Sequence, residues 1–495
     1  MPTQSHSLHA VPWPSTHHDT LRWMEERRRH RLMSGTWGRD LEERLRSQFG
    51  LLRRNAIGPK SKAKNSFGRI TTELATLYGD APAVRHSTAG ELGGLLGPDG
   101  PITNAGLWPL MQRFQKFVIG AREYVMAVDW APSTQSLVYR MVRPDLVVAQ
   151  SSADNPGVPT GIEELRWRAD HRRWAWDVWD VSDQDNPSLR ILVKDSRGNV
   201  QEDLTESVLG RTFSGPDYVW RYNEGARDGV PFIPRVLYHA APGSQLFDPF
   251  DWFELAEGAL DIACLYTFWQ HAVFRASWPA RYALGAHVVG VEMQQSEGGA
   301  RQVVPNDPTA LLNFQADPSF HGQAIIGQWA PAADVLTLQQ AISAYERTVT
   351  DVAGIDGANV VRDSSDAWSG AALSINRDGK REAQRFYAPL FRPRDLELME
   401  KSAAILNGQT GTSWPESGYR IAYRSIPLSP QELKGRREHN TEMISAGRMS
   451  IVEAYVDEHP GSTEDEARTA LRVIRETNDE FMSAPEPAGP PEEAA

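Results

Sequence analysis

Residues 335–352 read VLTLQQAISAYERTVTDV. Their apolar positions Val335, Leu338, Ile342, Tyr345, Val349 and Val352 stand 3, 4, 3, 4 and 3 apart, a regular heptad seam. The spacing predicts a helix over 332–352, stopped by Gly354. So narrow a stripe suits a helix packed against a parallel neighbour, the same helix of another copy of the chain included. Val335, Leu338, Ile342, Tyr345 and Val349 are therefore read as inter-helix contacts, and Arg347 is the one cation of the helix.

Toward the N-terminus, residues 280–329 are irregular, with short strand-like runs broken by Gly and Pro. Residues 249–277 before them form a second predicted helix, roughly 40–45 Å long at 1.5 Å per residue. Asp251, Glu254, Glu257 and Asp261 recur along it at spacings of three and four. The first of them favour the positive end of the helix dipole, and together they make an acidic stripe. That stripe is either a cap with a solvated face or a face turned to a channel. A four-carboxylate metal bundle is excluded, because no Glu-x-x-His accompanies it.

Toward the C-terminus, residues 355–369 (IDGANVVRDSSDAWS) are polar and loop-like, and a third long helix is expected over 370–407, stopped by Gly408. Pro389 and Pro393 lie inside it, and proline within a helix forces a bend or a break. Residues 429–476 read as polar helices with a turn at His459-Pro460-Gly461-Ser462 and a cap at Ser462 or Thr463. From 483 the chain is an acidic, Pro-rich tail with the composition of disorder.

From 122 to 238 the hydrophobic period changes to two. VMAVDW, SLVYRMV, ELRWRA, WAWDVWDV, LRILVK, YVWRYN and FIPRVLY are strand-like, separated by turn signals such as Arg197-Gly198-Asn199. The aromatics of Trp174-Ala175-Trp176-Asp177-Val178-Trp179 do not share one face, so both faces of the sheet are expected to be covered. Upstream, short helices are expected over 65–78 and 107–120, with a Gly-rich loop at 87–104. Residues 20–48 read as a charged helix broken near Ser34-Gly35, whose Arg27, Arg28, Arg29 and Arg31 are read first as a solvated face paired with Glu25 and Glu26, and second as a contact for DNA or an acidic partner.

Composition narrows the function. A chain of 495 residues holds two to four domains or one elongated subunit. Its net charge of -12 excludes a concentrated basic face for reading nucleic-acid sequence. An acidic wall still lets DNA slide past, because tight contacts require Lys or Arg to replace counterions. The single Cys264 rules out a disulfide framework within the chain. Residues 262–274, free of Asp, Glu, Lys and Arg, are too few to cross a bilayer, and 1–20 lack the apolar core of a signal peptide. A soluble product of the cytoplasm is expected. No phosphate-binding loop, Gly-x-Ser-x-Gly, His-Glu-x-x-His or Gly-x-Gly-x-x-Gly occurs. Asp177, Asp180, Asp183 and Asp185 lack the glycine and closing glutamate of a calcium loop and are read as a hairpin turn.

Short motifs sit at the joints of this order. Asp228-Gly229-Val230-Pro231-Phe232-Ile233-Pro234 precedes the first long helix, and Val352-Ala353-Gly354-Ile355 and Ser369-Gly370-Ala371-Ala372-Leu373 flank the polar loop. Gly447-Arg448-Met449-Ser450, Asp457-Glu458-His459-Pro460 and Glu464-Asp465-Glu466 follow near the C-terminus. In this order they resemble the portal proteins of tailed bacteriophages, the head-to-tail connector rings. The first is similar to the family's Gly-x-Ile-Pro strand that closes the wing. The second pair is similar to the junction through the tunnel loop into the kinked helix, and the last group to the C-terminal Gly-x-x-Ser and acidic-helix pattern. The resemblance covers about 65 to 476 and leaves the N-terminal helix unmatched.

That resemblance implies an α+β, portal-type elongated subunit. Its parts would be an N-terminal charged helical segment (1–64), a strand-rich wing (65–248), a first stem helix (249–278) and a clip (279–331). A second stem helix (332–354), tunnel loop (355–369), kinked helix with return to the wing (370–428), helical crown (429–482) and tail (483–495) complete it. It implies a homo-oligomeric ring, commonly of twelve copies, at one vertex of the virion capsid, through which double-stranded DNA is packaged and ejected. Partners would be the terminase large subunit, a head–tail adaptor and the major capsid or scaffold protein, with no membrane, cofactor, metal or catalytic residue. Asp251, Glu254, Glu257, Asp261 and Arg347 would line the stem tunnel, and Asn359, Arg362, Asp363 and Asp366 would face DNA from the tunnel loop. Two other readings stay open. One is a carbohydrate-active enzyme using the Trp-rich sheet and paired carboxylates, and the other is a different head–tail connector component.

Overall fold

The computed structural model describes residues 17–57, 64–86, 95, 100–131, 133–152, 154–183, 187–195, 197–209, 232–242, 252–277, 280–289, 293–296, 299–302, 313–319, 321–329, 334–354, 370–426, 430–459 and 463–483. In chain order the elements are α1 (His17–Ser34), α2 (Gly38–Ile57), α3 (Ser66–Leu74), β1 (Ala83–His86), α4 (Pro101–Asn104) and α5 (Leu107–Ala121). Then come β2 (Glu123–Ala131), β3 (Ser136–Val142), β4 (Val147–Ser152), β5 (Asn155–Arg168), β6 (Arg173–Asp180), β7 (Ser188–Lys194), β8 (Val200–Asp203), α6 (Thr205–Leu209) and β9 (Arg235–His239). The second half holds α7 (Phe253–Ser277), β10 (Ala280–Leu284), β11 (Ala286–Val289), β12 (Met293–Ser296), β13 (Gly299–Gln302), β14 (Asn313–Ala316), β15 (Ile325–Trp329) and α8 (Val335–Asp351). Last are α9 (Gly370–Thr410), β16 (Tyr419–Ala422), α10 (Pro430–Ser445), α11 (Ile451–Glu458) and α12 (Glu464–Ser483). The fold is α+β. It divides into two compact units, one from Met1–His30, Thr71–Asp251 and Arg362–Ala495, the other from Arg31–Ile70 and Trp252–Val361.

In the first unit the described part of the period-two region folds as two antiparallel sheets, β3-β2-β9 and the meander β4-β5-β6-β7-β8, while the expected strand YVWRYN lies outside the described residues. Cross-strand partners Leu165↔Trp176 and Trp176↔Leu192 put those side chains on one face of the meander. Leu165 and Trp176 form one apolar cluster, and Ala175, Ile191 and Leu204 form another on the opposite face, so both faces are covered. At the Arg197-Gly198-Asn199 signal, Gly198 takes a positive φ of 83° and Asp195 Oδ1 accepts from the Asn199 amide. Strands β4, β8, β1 and β16 escaped the sequence reading. They are short or polar, and β1 pairs with β16 across more than three hundred residues of chain (Ala83↔Ala422). Helices α5 and α9 pack on β2 and β9 around Phe114, Tyr124, Tyr238 and Phe391, with Phe114 and Tyr238 edge to face at 4.9 Å.

Helix α9 is 41 residues long and is assigned as helix straight through Pro389 and Pro393. It also runs past Gly408, the expected stop, to Gly411, which takes φ +68° and donates its amide to the Asn407 carbonyl at 2.9 Å. A glycine inside a helix costs only about 1 kcal/mol, whereas the left-handed residue ends it. The final helix begins at the expected cap. The Glu466 amide donates to Thr463 Oγ1 (3.3 Å) and the Thr463 amide to Glu466 Oε2 (3.0 Å), closing a capping box.

In the second unit, α2 and α8 pack on α7, and residues 280–329 carry nested antiparallel pairs β10·β15, β11·β14 and β12·β13. Helix α7 begins at Phe253, later than 249, and α8 begins at Val335 behind Asp334, which accepts from the amides of Leu336 (3.0 Å) and Thr337 (3.3 Å).

Candidate conduit helices and buried charge clusters

The α7–α8 pair is antiparallel. Near one end, Trp269 Nε1 donates to the Val335 carbonyl at 3.2 Å. Near the other, a Cβ built on Gly258 would stand 2.8 Å from Val349 Cγ2, so the helices meet there only because residue 258 has no side chain. Along the seam Ile342 and Val349 are buried, Val335 and Leu338 half-buried, and Tyr345 is exposed. Within the chain, the helix that meets Val349 and the Val335 carbonyl is therefore antiparallel, where the seam alone suggested a parallel neighbour. Heptad spacing fixes which residues share a stripe and carries no information on the direction of what covers it.

Glu346 was not among the expected site residues, yet it is fully buried. Its carboxylate accepts from Ser66 Oγ (2.6 Å) and from Lys64 Nζ, and that ammonium also lies 4.4 Å from the Tyr266 ring centroid. The signal was present in the spacing: 342, 346, 349 and 350 trace one helical face, and all four are buried.

The acidic stripe is only partly an open face. Arg44 of α2 reaches Glu257 Oε2 at 3.1 Å and Asp261 Oδ1 at 2.8 Å, so two of the four carboxylates share one cation within the unit. Glu254 is exposed, as is Arg347 on α8, and Asp251 lies outside the described residues. Asn359, Arg362, Asp363 and Asp366 of the expected tunnel loop also lie outside them, as do Asp228 to Pro231 of the first motif.

Helix α1 departs furthest from expectation. Its charged residues do not form a solvated face: Arg22, Glu25, Glu26 and Arg29 are all buried, Arg29 completely. Arg22 bonds Glu123 Oε1 (3.3 Å) and the Val147 carbonyl (3.0 Å), Arg27 bonds Asp145 (3.0 Å), and Arg29 bonds Glu25 (2.9 Å). The i,i+4 pairing to Glu25 holds, but inside the protein. Arg22 and Arg29 are internal struts, and Arg27, half-buried, is paired with Asp145.

A second charge cluster joins the two sheets of the first unit. Arg235, 1% exposed, donates to Glu164 Oε2 (2.7 Å) and Asp129 Oδ1 (3.0 Å) and lies 5.4 Å from the Trp179 ring centroid. Burial alone would raise the carboxyl pKa values of Asp129 and Glu164, but Arg235 and Arg140 outweigh it and hold both below the ordinary range. For Asp177, burial prevails over its partner Arg168 and the pKa is raised.

In the third cluster no cation among the described residues is bonded to the carboxylate. Asp395 of α9 is buried and receives three phenol hydroxyls, from Tyr78 (2.8 Å to Oδ1, 2.7 Å to Oδ2), Tyr238 of β9 (2.9 Å) and Tyr423 (2.6 Å). Burial pushes its carboxyl up to about 6 against the opposing pull of those hydrogen bonds. One carboxyl thus ties α9 to three other segments, two positions after Pro393.

Among the described residues no group of three His, Cys, Asp or Glu is placed to hold a metal ion, and no helix is long and apolar enough to cross a membrane. No protein-family model and no curated protein matches the chain. Among solved structures it is similar to a chain from the neck of a native gene transfer agent (GTA) particle computed with C12 symmetry. The match covers 86% of this chain and 95% of that one at TM-score 0.38 and 13% identity. The values are the same for a chain from the virion of the native GTA particle. A chain from the neck of the empty particle computed with C6 symmetry matches over the same shares at 14% identity and TM-score 0.38. Overlap at that level is too slight to carry a role from those chains to this one.

Proposed function

We propose that the chain is the repeating subunit of a portal-type ring, a conduit for double-stranded DNA at one vertex of a phage-type capsid. The order of its elements carries the reading. A strand-rich region leads into long α7, six short strands, the antiparallel return helix α8, a polar stretch and a 41-residue helix holding two prolines, then three short helices. On this reading they correspond in order to the wing, stem, clip, stem, tunnel loop, kinked helix and crown to which the joint motifs pointed. On this reading Glu254 and Arg347 are the exposed stem charges nearest in kind to a channel lining, while Arg44 mutes Glu257 and Asp261. Asn359, Arg362, Asp363 and Asp366 remain the proposed DNA-facing groups of the tunnel loop. Contact is weak and independent of sequence, since two cations per copy, Arg347 and Arg362, give salt-sensitive phosphate contacts that exchange freely. Terminase, a head–tail adaptor and capsid or scaffold protein are the proposed partners in the virion.

The enzyme reading is less well supported. Trp176 and Trp179 are buried rather than displayed as a sugar platform, and Asp129 and Glu164, held ionised by arginines, are unsuited to donate a proton at neutral pH. Native mass measurement tests the proposal: a particle close to twelve times the 55.2 kDa of the chain is expected. A stable monomer or dimer that cleaves polysaccharide would overturn it. Arg362→Glu should leave the ring intact and lower the yield of DNA-filled heads, and normal filled-head yields would remove Arg362 from the mechanism.

A further inference from the structure

Glu26 sits where α1 docks on the first unit. It is 2% exposed, and neither carboxyl oxygen receives a hydrogen bond from another of the described residues. The charged groups facing it are Arg22 and Arg29 of its own helix, Glu123 of β2 and Asp145 of the Pro144–Leu146 turn, with Tyr124 of β2 close enough to feel its charge. Those arginines are bonded elsewhere, Arg22 to Glu123 at 3.3 Å and Arg29 to Glu25 at 2.9 Å, while Asp145 takes Arg27 at 3.0 Å and Arg143 at 2.6 Å. An ionised Glu26 would therefore be a buried anion beside a second carboxylate, with Arg22 and Arg29 acting on it only through space and no described residue donating to it. Burial first, and then Glu123, raise its pKa well above the ordinary carboxyl value.

We propose that Glu26 makes the seating of α1 proton-dependent: the helix docks on β2 and the Pro144–Leu146 turn with Glu26 as the neutral acid, and loosens when the proton leaves. The inference is independent of the conduit reading. Loosening parts Arg22 from Glu123 and Arg27 from Asp145, turning a neutralised internal strut into a basic segment open to solvent or to a polyanion. The sign follows from linkage. A carboxyl raised in the docked state gives docking its full strength below the ordinary carboxyl pKa and weakens it as pH climbs toward the raised value. Within that window one linked proton changes the docking equilibrium about tenfold per pH unit.

Trypsin reads the equilibrium directly, because α1 offers Arg27, Arg28 and Arg29 as cleavage sites only when undocked. Initial cleavage rates within α1, divided by the rate after exposed Arg197 in the β7–β8 turn, are measured by mass spectrometry from pH 5 to pH 9 on the full chain and on Glu26→Gln. The normalised α1 rate of the native chain is expected to climb with pH, by up to about tenfold per unit, and that of Glu26→Gln to stay low and flat. Should the amide variant fail to fold, Glu26→Met gives the same comparison with an adaptable apolar side chain. A native chain whose normalised α1 rate does not change with pH, or a neutral variant that climbs as steeply as the native chain, would overturn the proposal.

Discussion

Helices α1 and α8 are nearly the same length, 18 and 17 residues, and reverse each other's appearance. Helix α1 carries a run of charges that reads as surface, and buries Arg22, Glu25, Glu26 and Arg29. Helix α8 carries a heptad seam that reads as core, and leaves Tyr345 and Val352 exposed while burying Glu346. Apolar periodicity survives translation into structure because burying a methyl group needs no particular partner. Burying a charge needs a specific counter-charge, and Glu123 lies 101 residues from Arg22, Ser66 280 residues from Glu346.

If α1 is an internal strut, removing a strut should be costly. Arg29→Ala takes the fully buried guanidinium from Glu25 and leaves it to the half-buried Arg28 at 3.0 Å, and about 3 kcal/mol of stability is expected to be lost, the lower end for breaking a buried pair. A solvated helix face would change by no more than about 0.5 kcal/mol. Denaturant titration of the variant against the native chain separates the two, and a shift of the smaller size would erase the contrast between the helices.

A carboxyl without a counter-charge behaves differently again, and Asp395 extends the comparison to pH. Its folded pKa of about 6 lies above the ordinary 3.9, so its proton stabilises the folded state. Relative to Asp395→Asn, the native chain should gain about 3 kcal/mol as pH falls from 7 to below 4, and lose it again as pH rises through the same window. Comparing the two proteins cancels the opposite drift from Asp129, Glu164 and Glu397, whose pKa values are lowered. Parallel stability–pH curves would show that the three tyrosines, not burial, govern Asp395.

These cases mark what the chain makes legible. The α+β class, the period-two region, the two long helices around 280–329 and the proline-bearing helix all follow from local pattern and turn chemistry. Strands β1 and β16 were invisible because each has four residues and its partner lies at the other end of the chain. The three tyrosines converging on Asp395 come from residues 78, 238 and 423, and no local spacing joins them. Of the candidate site, the seam residues were readable and the direction of their partner was not. Glu257 and Asp261 were readable as a stripe, but Arg44 was seen only as one charge in a helix elsewhere.

The close approach of α7 and α8 offers a smaller test. Gly258 meets the branched, rotamer-stiff Val349, which cannot swing aside as a longer chain would. Gly258→Leu should cost about 1–3 kcal/mol by overpacking, although leucine is the better helix former. Double substitution with Val349→Ala should recover part of that loss, the coupling expected of residues in contact. Additive effects would mean that the helices do not meet at this point.

The smallest effect on stability is expected one residue from a buried charge. Glu346 is fully buried, and Arg347, its neighbour in sequence, is exposed on the same helix. A helix turns about 100° per residue, so adjacent positions face different surroundings. Arg347→Ala should therefore shift stability by no more than about 0.5 kcal/mol. Glu346→Ala should cost several times as much, because it leaves Lys64 half-buried without its carboxylate and Ser66 without its acceptor. On the conduit reading the ranking reverses for function. An exposed cation repeated around a ring contributes one phosphate contact per copy, so Arg347→Ala should weaken retention of packaged DNA and flatten its salt dependence while the ring still assembles. Unchanged retention across a salt series would take Arg347 off the channel wall. A large loss of stability would show instead that α8 buries a second charge, and with it the contrast between neighbouring residues would go.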